Sequence, residues 1–366
     1  MELIEIFDTV EDFRVLNRTE HRLSDILVLS LCAVLSGADD FEEIEEYGHQ
    51  KEEFLRGFLL LPNGIPSHDT INRVFRLLDT RSLETCLQTY SRAILEGIER
   101  HQINIDGKVL RATGKRGKKT AALCLVSAWS AEYSLSLGQI KVDKKSNEKT
   151  AIPEIIKNVD IKGALVSIDA MGCDKTTAEL IVENEGDYLL ALKKNQKGLY
   201  EEVHDWMQSR KSHLLSYEQK DYVGGRIETR RTYVTQNLDF IDEAAQWMKS
   251  TSIIMVEGER SYKNGLEKDT FQTRYYISSA TGDAKYFGGA VRNHWSIENK
   301  LHWFLDVVFK EDNQRVREGN APENMAIVRK IALQLLLANK GKSSLKKARK
   351  KAAWNDEFLL EVLDSF

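Results

Sequence analysis

The chain has 366 residues, of which 42% are hydrophobic and 30% charged, with only four prolines. At roughly 150 residues per domain this is two or three domains, and the composition excludes pervasive disorder and a mini-protein dependent on staples. Its 52 Lys and Arg against 56 Asp and Glu give a net charge of -4, which argues mildly against a nucleic-acid binder until the charge is divided along the chain.

No membrane span is expected, because the longest apolar runs, Ile26 to Leu35 and Ile331 to Ala338, fall well short of the ~18 residues that cross a bilayer. The first residues lack a basic stretch followed by an apolar one, so no secretion signal is read and a cytoplasmic location is expected. From Leu23 to about Arg100 apolar residues recur every three or four positions, predicting a helical N-terminal domain over residues 1–100. Within it Asp39 to Glu53 holds eight acids against Lys51. Pro66-Ser67-His68-Asp69-Thr70 supplies capping residues for a short helix with Arg73 and Arg76 one turn apart on an exposed face. That helix reads equally as a DNA-groove reader or as an ordinary charged surface.

At His101 the texture turns to strands: Ile103 to Asp106, Ala121 to Ala131 and Ser136 to Val142. A helix (Lys149 to Asn158), a buried strand (Ala164 to Ile168), a helix (Thr176 to Asn184) and a strand (Asp187 to Leu192) follow. Three strands, helix, strand, helix, strand is the order of a ribonuclease-H-like mixed sheet, antiparallel at first and then parallel. After a helix at Leu199 to Met207, a β-rich insertion is read over about 209–280, and helices return from Asp283 to Val308 and from Pro322 to Ala338. The catalytic domain is thus placed at 101–338 and a basic tail at 339–366. Two basic runs without an acid, six residues in Lys108 to Lys119 and nine in Arg329 to Lys351, look like phosphate-facing strips, although solvated faces are the plainer reading. Cys32, Cys86, Cys124 and Cys173 fit neither a metal knuckle nor a disulfide framework and are read as buried thiols.

Asp106 and Asp169 each follow an apolar strand, and Glu298 lies on the helix after the insertion. A carboxylate after an apolar strand is costly unless solvated, hydrogen-bonded or holding a metal, and three converging carboxylates suit Mg2+. Singly, each acid is more often a cap or a solvated residue. A rival set, His294, Glu298 and His302 at spacings of four, suits Zn2+ but lacks the HExxH spacing. Trp295, Trp303, Phe304 and Val308 are read as the core-facing stripe of the same helix.

The motifs Ile105-Asp106-Gly107-Lys108 with Arg111, Ser167-Ile168-Asp169-Ala170-Met171-Gly172 with Lys175, and Leu190-Ala191-Leu192-Lys193 with Asn195-Gln196 resemble the insertion-sequence transposases of the H-repeat-associated family. So do Gly225-Arg226-Ile227-Glu228 with Arg230, and the long motif His294-Trp295-Ser296-Ile297-Glu298-Asn299 with Leu301-His302-Trp303, Leu305-Asp306-Val307, Phe309 and Glu311-Asp312. The resemblance runs in order from about residue 5 to 340. It implies a DDE transposase with Asp106, Asp169 and Glu298 as the catalytic, metal-binding triad, using Mg2+, with Mn2+ as a substitute, in two-metal cleavage and joining of DNA. Lys108, Arg111, Lys193, Arg226, Arg230, His294 and His302 would then face DNA near the site, and Arg73 and Arg76 would read the element ends. The implied partners are double-stranded DNA and a second copy on that DNA, with no membrane, at the nucleoid. The better-known related group carries an Arg four residues before the catalytic Glu and a Lys seven after it, where this chain has His294 and Leu305. The family's usual His before the insertion's Gly-Arg is Gly224 here. A DNA-binding remnant without catalysis and a stand-alone nuclease on the same fold are the other readings.

Overall fold

The computed structural model describes residues 2–15, 19–96, 98, 101–114, 121–142, 148–262 and 269–365. Before the first strand come helices α1 (Glu2–Asp8), α2 (Leu23–Ser36), α3 (Phe41–Gln50), α4 (Glu52–Leu55), α5 (His68–Leu77) and α6 (Thr80–Leu95). Helix α2 is buried continuously from Leu23 to Leu35, as an all-round apolar helix must be. Helix α5 starts as its sequence dictates: the Ser67 hydroxyl accepts from the Thr70 amide, and Glu45 Oε2 accepts from the His68 amide at 2.9 Å.

Strands β1 (Gln102–Leu110), β2 (Leu123–Ser130) and β3 (Leu135–Lys141) are followed by α7 (Glu148–Asn158), β4 (Leu165–Ile168), α8 (Lys175–Glu183), β5 (Asp187–Leu192) and α9 (Lys197–Arg210). Next are β6 (Ser216–Val223), β7 (Arg226–Thr235), β8 (Ser252–Tyr262) and β9 (Thr270–Ser278). The chain then turns to α10 (Ala284–His294), a π-helical turn at Ile297–His302, α11 (Trp303–Val307), α12 (Ala321–Asn339), α13 (Leu345–Trp354) and α14 (Asp356–Asp364).

All nine strands form one mixed sheet, in the order β3-β2-β1-β4-β5-β9-β8-β7-β6. The β1–β2 and β2–β3 pairs are antiparallel and the β1–β4 and β4–β5 pairs parallel, as the order of elements required. The inserted strands do not stand apart: β9 pairs antiparallel with β5, so the insertion prolongs the sheet. Gly224 and Gly225, both at positive φ, make the two-residue turn between β6 and β7. Strand β1 does not end at Asp106, as the sequence reading had it, but pairs with β2 as far as Leu110.

Helix α12 ties the two ends of the chain together. It packs on α2, α5 and α6 and also on β3, and the buried Asn324 side chain donates to the carbonyls of Phe75 and Leu78 at the end of α5. The segment read as a basic tail is folded: Leu345, Ala348, Ala352, Phe358, Leu359 and Val362 are buried, and α13 lies on α2. Its Arg349 is buried rather than phosphate-facing, donating to the carbonyls of Val34, Ala38 and Val308. The opposed charge runs meet at Asp39 and Arg349, 3.4 Å apart, while Asp39 also meets Lys310 at 2.6 Å and Lys51 meets Asp356 at 2.7 Å. Lys342, Lys346, Lys347, Lys350 and Lys351 remain exposed. Cys32, Cys86 and Cys173 are buried and Cys124 half-buried, all as free thiols. Among the described residues no helix is long and apolar enough to cross a membrane.

Candidate active site

Strand periodicity puts Gln102, Asn104, Asp106 and Lys108 on one face of β1, opposite Ile103 and Ile105. The parallel neighbour β4 is in register, with Asn104 beside Ser167 and Ile105 beside Ile168. One step further along both strands come Asp106 and Asp169. Both therefore follow the end of the shared ladder, where β4 gives way to a loop. That loop is shaped by its own residues: Asp169 Oδ1 accepts from the Met171 amide at 2.8 Å, and Asn195 Nδ2 donates to Ala170 O at 2.7 Å. Gln196 Nε2 donates to Cys173 O at 2.9 Å, so the Asn195-Gln196 pair braces the aspartate loop. Gly172 is required by space, since a Cβ there would lie 2.5 Å from Ile152 and 2.6 Å from Ile168.

The helix bearing Glu298 is pinned over these strands by buried polar groups. Gln102 Nε2 donates to Ala290 O at 2.9 Å, and Asn104 Nδ2 donates to Asn293 O at 2.9 Å. Ser167 Oγ donates to Asn104 Oδ1 at 2.6 Å and lies 2.9 Å from His294 Nδ1. Gln102 and Asn104 were not singled out from the sequence, and Ser167 entered only as part of the Asp169 motif. The signal was present in their period-two alternation with buried aliphatics, which marks a polar seam under a helix. Ile297, Leu301 and Leu305 turn into the core, so the expected stripe is corrected. Trp303 is 51% exposed, Trp295 faces the cleft described below, and only Phe304 and Val308 pack partly on the core.

Glu298 is exposed on the π-helical turn, a helix defect frequent at functional sites. Partial desolvation of its carboxyl raises its pKa from the ordinary value, against the lowering pull of Arg274 and with added repulsion from Asp169. His302 Nδ1 lies 3.6 Å from Asp106 Oδ2. Burial, then the Lys108 and Lys330 charges, hold His302 neutral with its pKa down at about 3. His294 is likewise neutral, pushed down to about 4 by burial although Asp169 pulls the other way. Both histidines are therefore internal polar groups, and neither offers a cation to DNA.

Among the described residues no group of three His, Cys, Asp or Glu side chains is gathered as a preformed metal site. That holds for the zinc set as well as for the carboxylate triad. The zinc set is further divided because His294 is turned to Ser167 and His302 to Asp106. The carboxylates suit a hard cation in donor chemistry, and the repulsion that Asp169 exerts on Glu298 is the kind a dication relieves.

The expected DNA contacts divide in three. Arg73, Arg111 and Lys193 are exposed, although Arg111 lies 3.5 Å from Asp312. Arg76, Arg226 and Arg230 are already ion-paired, with Glu318 at 3.1 Å, Glu228 at 2.7 Å and Asp221 at 2.6 Å. Lys108 is internal: its side chain is 10% exposed and its Nζ donates to Asp306 at 2.5 Å and to the buried Glu311 at 2.6 Å. The reading of Lys108 as a phosphate contact is corrected accordingly. Lys115, Arg116, Lys118 and Lys119 lie outside the described residues.

Between the face of β7–β9 and helix α10 with its π-helical continuation runs a cleft of about 920 Å3 that reaches Glu298. Five arginines line it: Arg226, Arg230, Arg260, Arg274 and Arg292. Arg274 lies over the Trp295 ring, 4.3 Å from its centroid. It was missed by sequence reasoning, because an isolated arginine in a strand carries no motif.

A family model described as "Transposase DDE domain" matches residues 99–335, and one described as "DDE_Tnp_1-associated" matches residues 4–91. The chain is 40% identical over 367 aligned residues to "H repeat-associated putative transposase YhhI" of Escherichia coli K12, covering 99% of this chain and 97% of that one. It is 38% identical to "Putative transposase YncI" of Escherichia coli O157:H7, over 99% and 94% of the two chains. A solved structure titled as a piggyBac transposase synaptic complex with hairpin DNA aligns over 100% of this chain and 80% of its own, at 11% identity and TM-score 0.44. That likeness is too distant to bear on the fold.

Proposed function

The chain belongs to the transposase DDE-domain family, and from that premise we propose that it cuts DNA at the inverted-repeat ends of an insertion sequence and joins those ends to target DNA. The observation that supports the reading best is the parallel register of β1 and β4, which ends at Ile105 and Ile168 and so leaves Asp106 and Asp169 as the next residue of each chain segment, under the helix that carries Glu298 and is bonded to Asn104 of β1. In this reading β3-β2-β1-β4-β5 is a ribonuclease-H-like core.

Asp106, Asp169 and Glu298 would hold divalent metal, Mg2+ or in its place Mn2+. When bound, such ions supply Lewis acidity towards the attacking and leaving oxygens of the phosphodiester. The chain's own residues do the positioning. Asn104 and Ser167 fix the helix over the strand pair, and Asn195 and Gln196 hold the loop on which Asp169 caps its turn. His302, neutral beside Asp106, orients that carboxylate without competing for it as a cation. Arg73, Arg111, Lys193 and the exposed lysines of α13 supply sequence-independent attraction to phosphates. Two element ends must meet, so a homodimer on double-stranded DNA at the nucleoid completes the proposal.

One observation favours a second reading, a DNA-binding protein that no longer cuts. His294 and Leu305 stand where related enzymes carry cations, and both are directed inward. A plasmid excision assay separates the two. A marker flanked by the sequences that border this gene is excised by the wild type and not by Asp169→Asn if the first reading holds. Binding to those flanks without excision by either protein selects the second.

A further inference from the structure

The cleft beside Glu298 contains an imbalance that the family motif does not account for. Arg226 and Arg260 meet Glu228 at 2.7 and 3.4 Å, Arg230 meets Asp221 at 2.6 Å, and Arg292 also meets Asp221. Arg274 alone among the five has no carboxylate within ion-pair distance, among the described residues. Its Nη2 donates to the neutral Gln272 Oε1 at 2.9 Å, and its guanidinium carbon lies over the Trp295 ring, 4.3 Å from the centroid. It is half-buried, so part of its hydration is already given up. A guanidinium stacked near an aromatic ring, with no carboxylate in direct ion-pair contact although Glu298 feels its charge, and facing a cleft is suited to bidentate capture of an oxyanion.

We infer that Arg274 is a phosphate-binding residue for the DNA strand that enters this cleft, holding a backbone phosphate next to the one presented to Asp106, Asp169 and Glu298. This rests on the transposase reading and assigns one of its contacts. It also accounts for His294. The cation absent from the helix position four residues before Glu298 is supplied from β9, across the Trp295 ring, and His294 is freed to bond Ser167 in the interior. Trp295 then acts as the aromatic surface against which the guanidinium rests.

The test is a scan in which each phosphate near the end of the gene's flanking DNA is replaced in turn by a neutral methylphosphonate. Binding is measured in Ca2+ for the wild type, Arg274→Gln and Arg274→Lys. Neutralising one particular phosphate should weaken wild-type binding roughly tenfold. Arg274→Gln should bind unmodified DNA more weakly by a similar factor and be indifferent at that phosphate, and the slope of log affinity against log salt should fall by about one. Arg274→Lys should keep sensitivity at the same position while recovering part of the affinity. Identical interference maps for the wild type and both variants would overturn the assignment and leave the transposase reading intact. A wild type insensitive at every phosphate would overturn both.

Discussion

Replacing Lys108 distinguishes an internal ion pair from a DNA contact. The Lys108 side chain is 10% exposed and that of Glu311 only 2%. Glu311 Oε2 accepts from Lys108 at 2.6 Å, and its Oε1 has no hydrogen-bond partner among the described residues. Burial works to protonate Glu311, but Lys108 and Lys330 outweigh it and keep the carboxyl below its ordinary value. Lys108→Met removes the ammonium and leaves a buried carboxylate with neither oxygen bonded. Breaking one side of such a pair costs about 3–5 kcal/mol, with the low end expected here because Lys330 remains nearby. At roughly 2.1 cal/mol/K per residue the unfolding entropy is about 0.77 kcal/mol/K, so a cooperative melt should shift down by roughly 4–7 °C. Adding Glu311→Gln should restore at least half of that loss, because the stranded charge is gone. Circular dichroism melts at pH 7 and DNA titrations against salt measure both sides. A melt unchanged within 1 °C, with the salt slope reduced by about one, would return Lys108 to the phosphate backbone and refute the packing argument.

Other sites give independent expectations. Glu84 is buried against α12 and β3, accepts from the Gln139 amide at 2.8 Å, and burial raises its carboxyl to about 7. The folded state therefore binds the extra proton, and stability from this group is present at low pH and lost as pH rises through about 7. Glu84→Gln should be more stable than the wild type at pH 8, by up to roughly 3 kcal/mol, with the difference gone below about pH 4.5; urea melts at both pH values read it. Asn104→Ala removes the donor to Asn293 O and should cost about 1–3 kcal/mol. Its excision activity should fall well beyond the loss of folded protein, measured at matched folded fraction. Arg349→Leu leaves the carbonyls of Val34 and Ala38 without their guanidinium donor and should destabilise by about 2–4 kcal/mol without changing the salt slope of DNA binding, if the basic segment is structural at this position.

The strand order from β1 to β5 was legible because each element kept its own period: two in the strands, three to four in the helices. The seam under Glu298 was legible in principle, yet ending β1 at Asp106 hid it. Gln102, Asn104, Asp106 and Lys108 become one polar face only when the strand is carried to Leu110. Lys108 and Arg349 were misread for a different reason. Each lies in a run without a local acid, and their partners are far away in sequence: Asp306 and Glu311 lie 198 and 203 residues from Lys108, and Val34 lies 315 from Arg349. Charge runs report local composition, whereas burial and pairing are set by the tertiary fold. Arg274 was not legible at all, because what distinguishes it is the pairing of its four neighbours.

The measurement that bears most directly on the central claim is Mg2+-dependent strand cleavage of DNA carrying this gene's flanking sequences, comparing the wild type with Glu298→Gln. The exposed position of Glu298 makes the variant a safe one to fold, so loss of cutting can be read as loss of chemistry. Cleavage at the repeat boundary by the wild type, reduced at least a hundredfold in Glu298→Gln with DNA binding retained, is the predicted result. Equal cleavage by the two proteins would remove Glu298 from the triad and contradict the account.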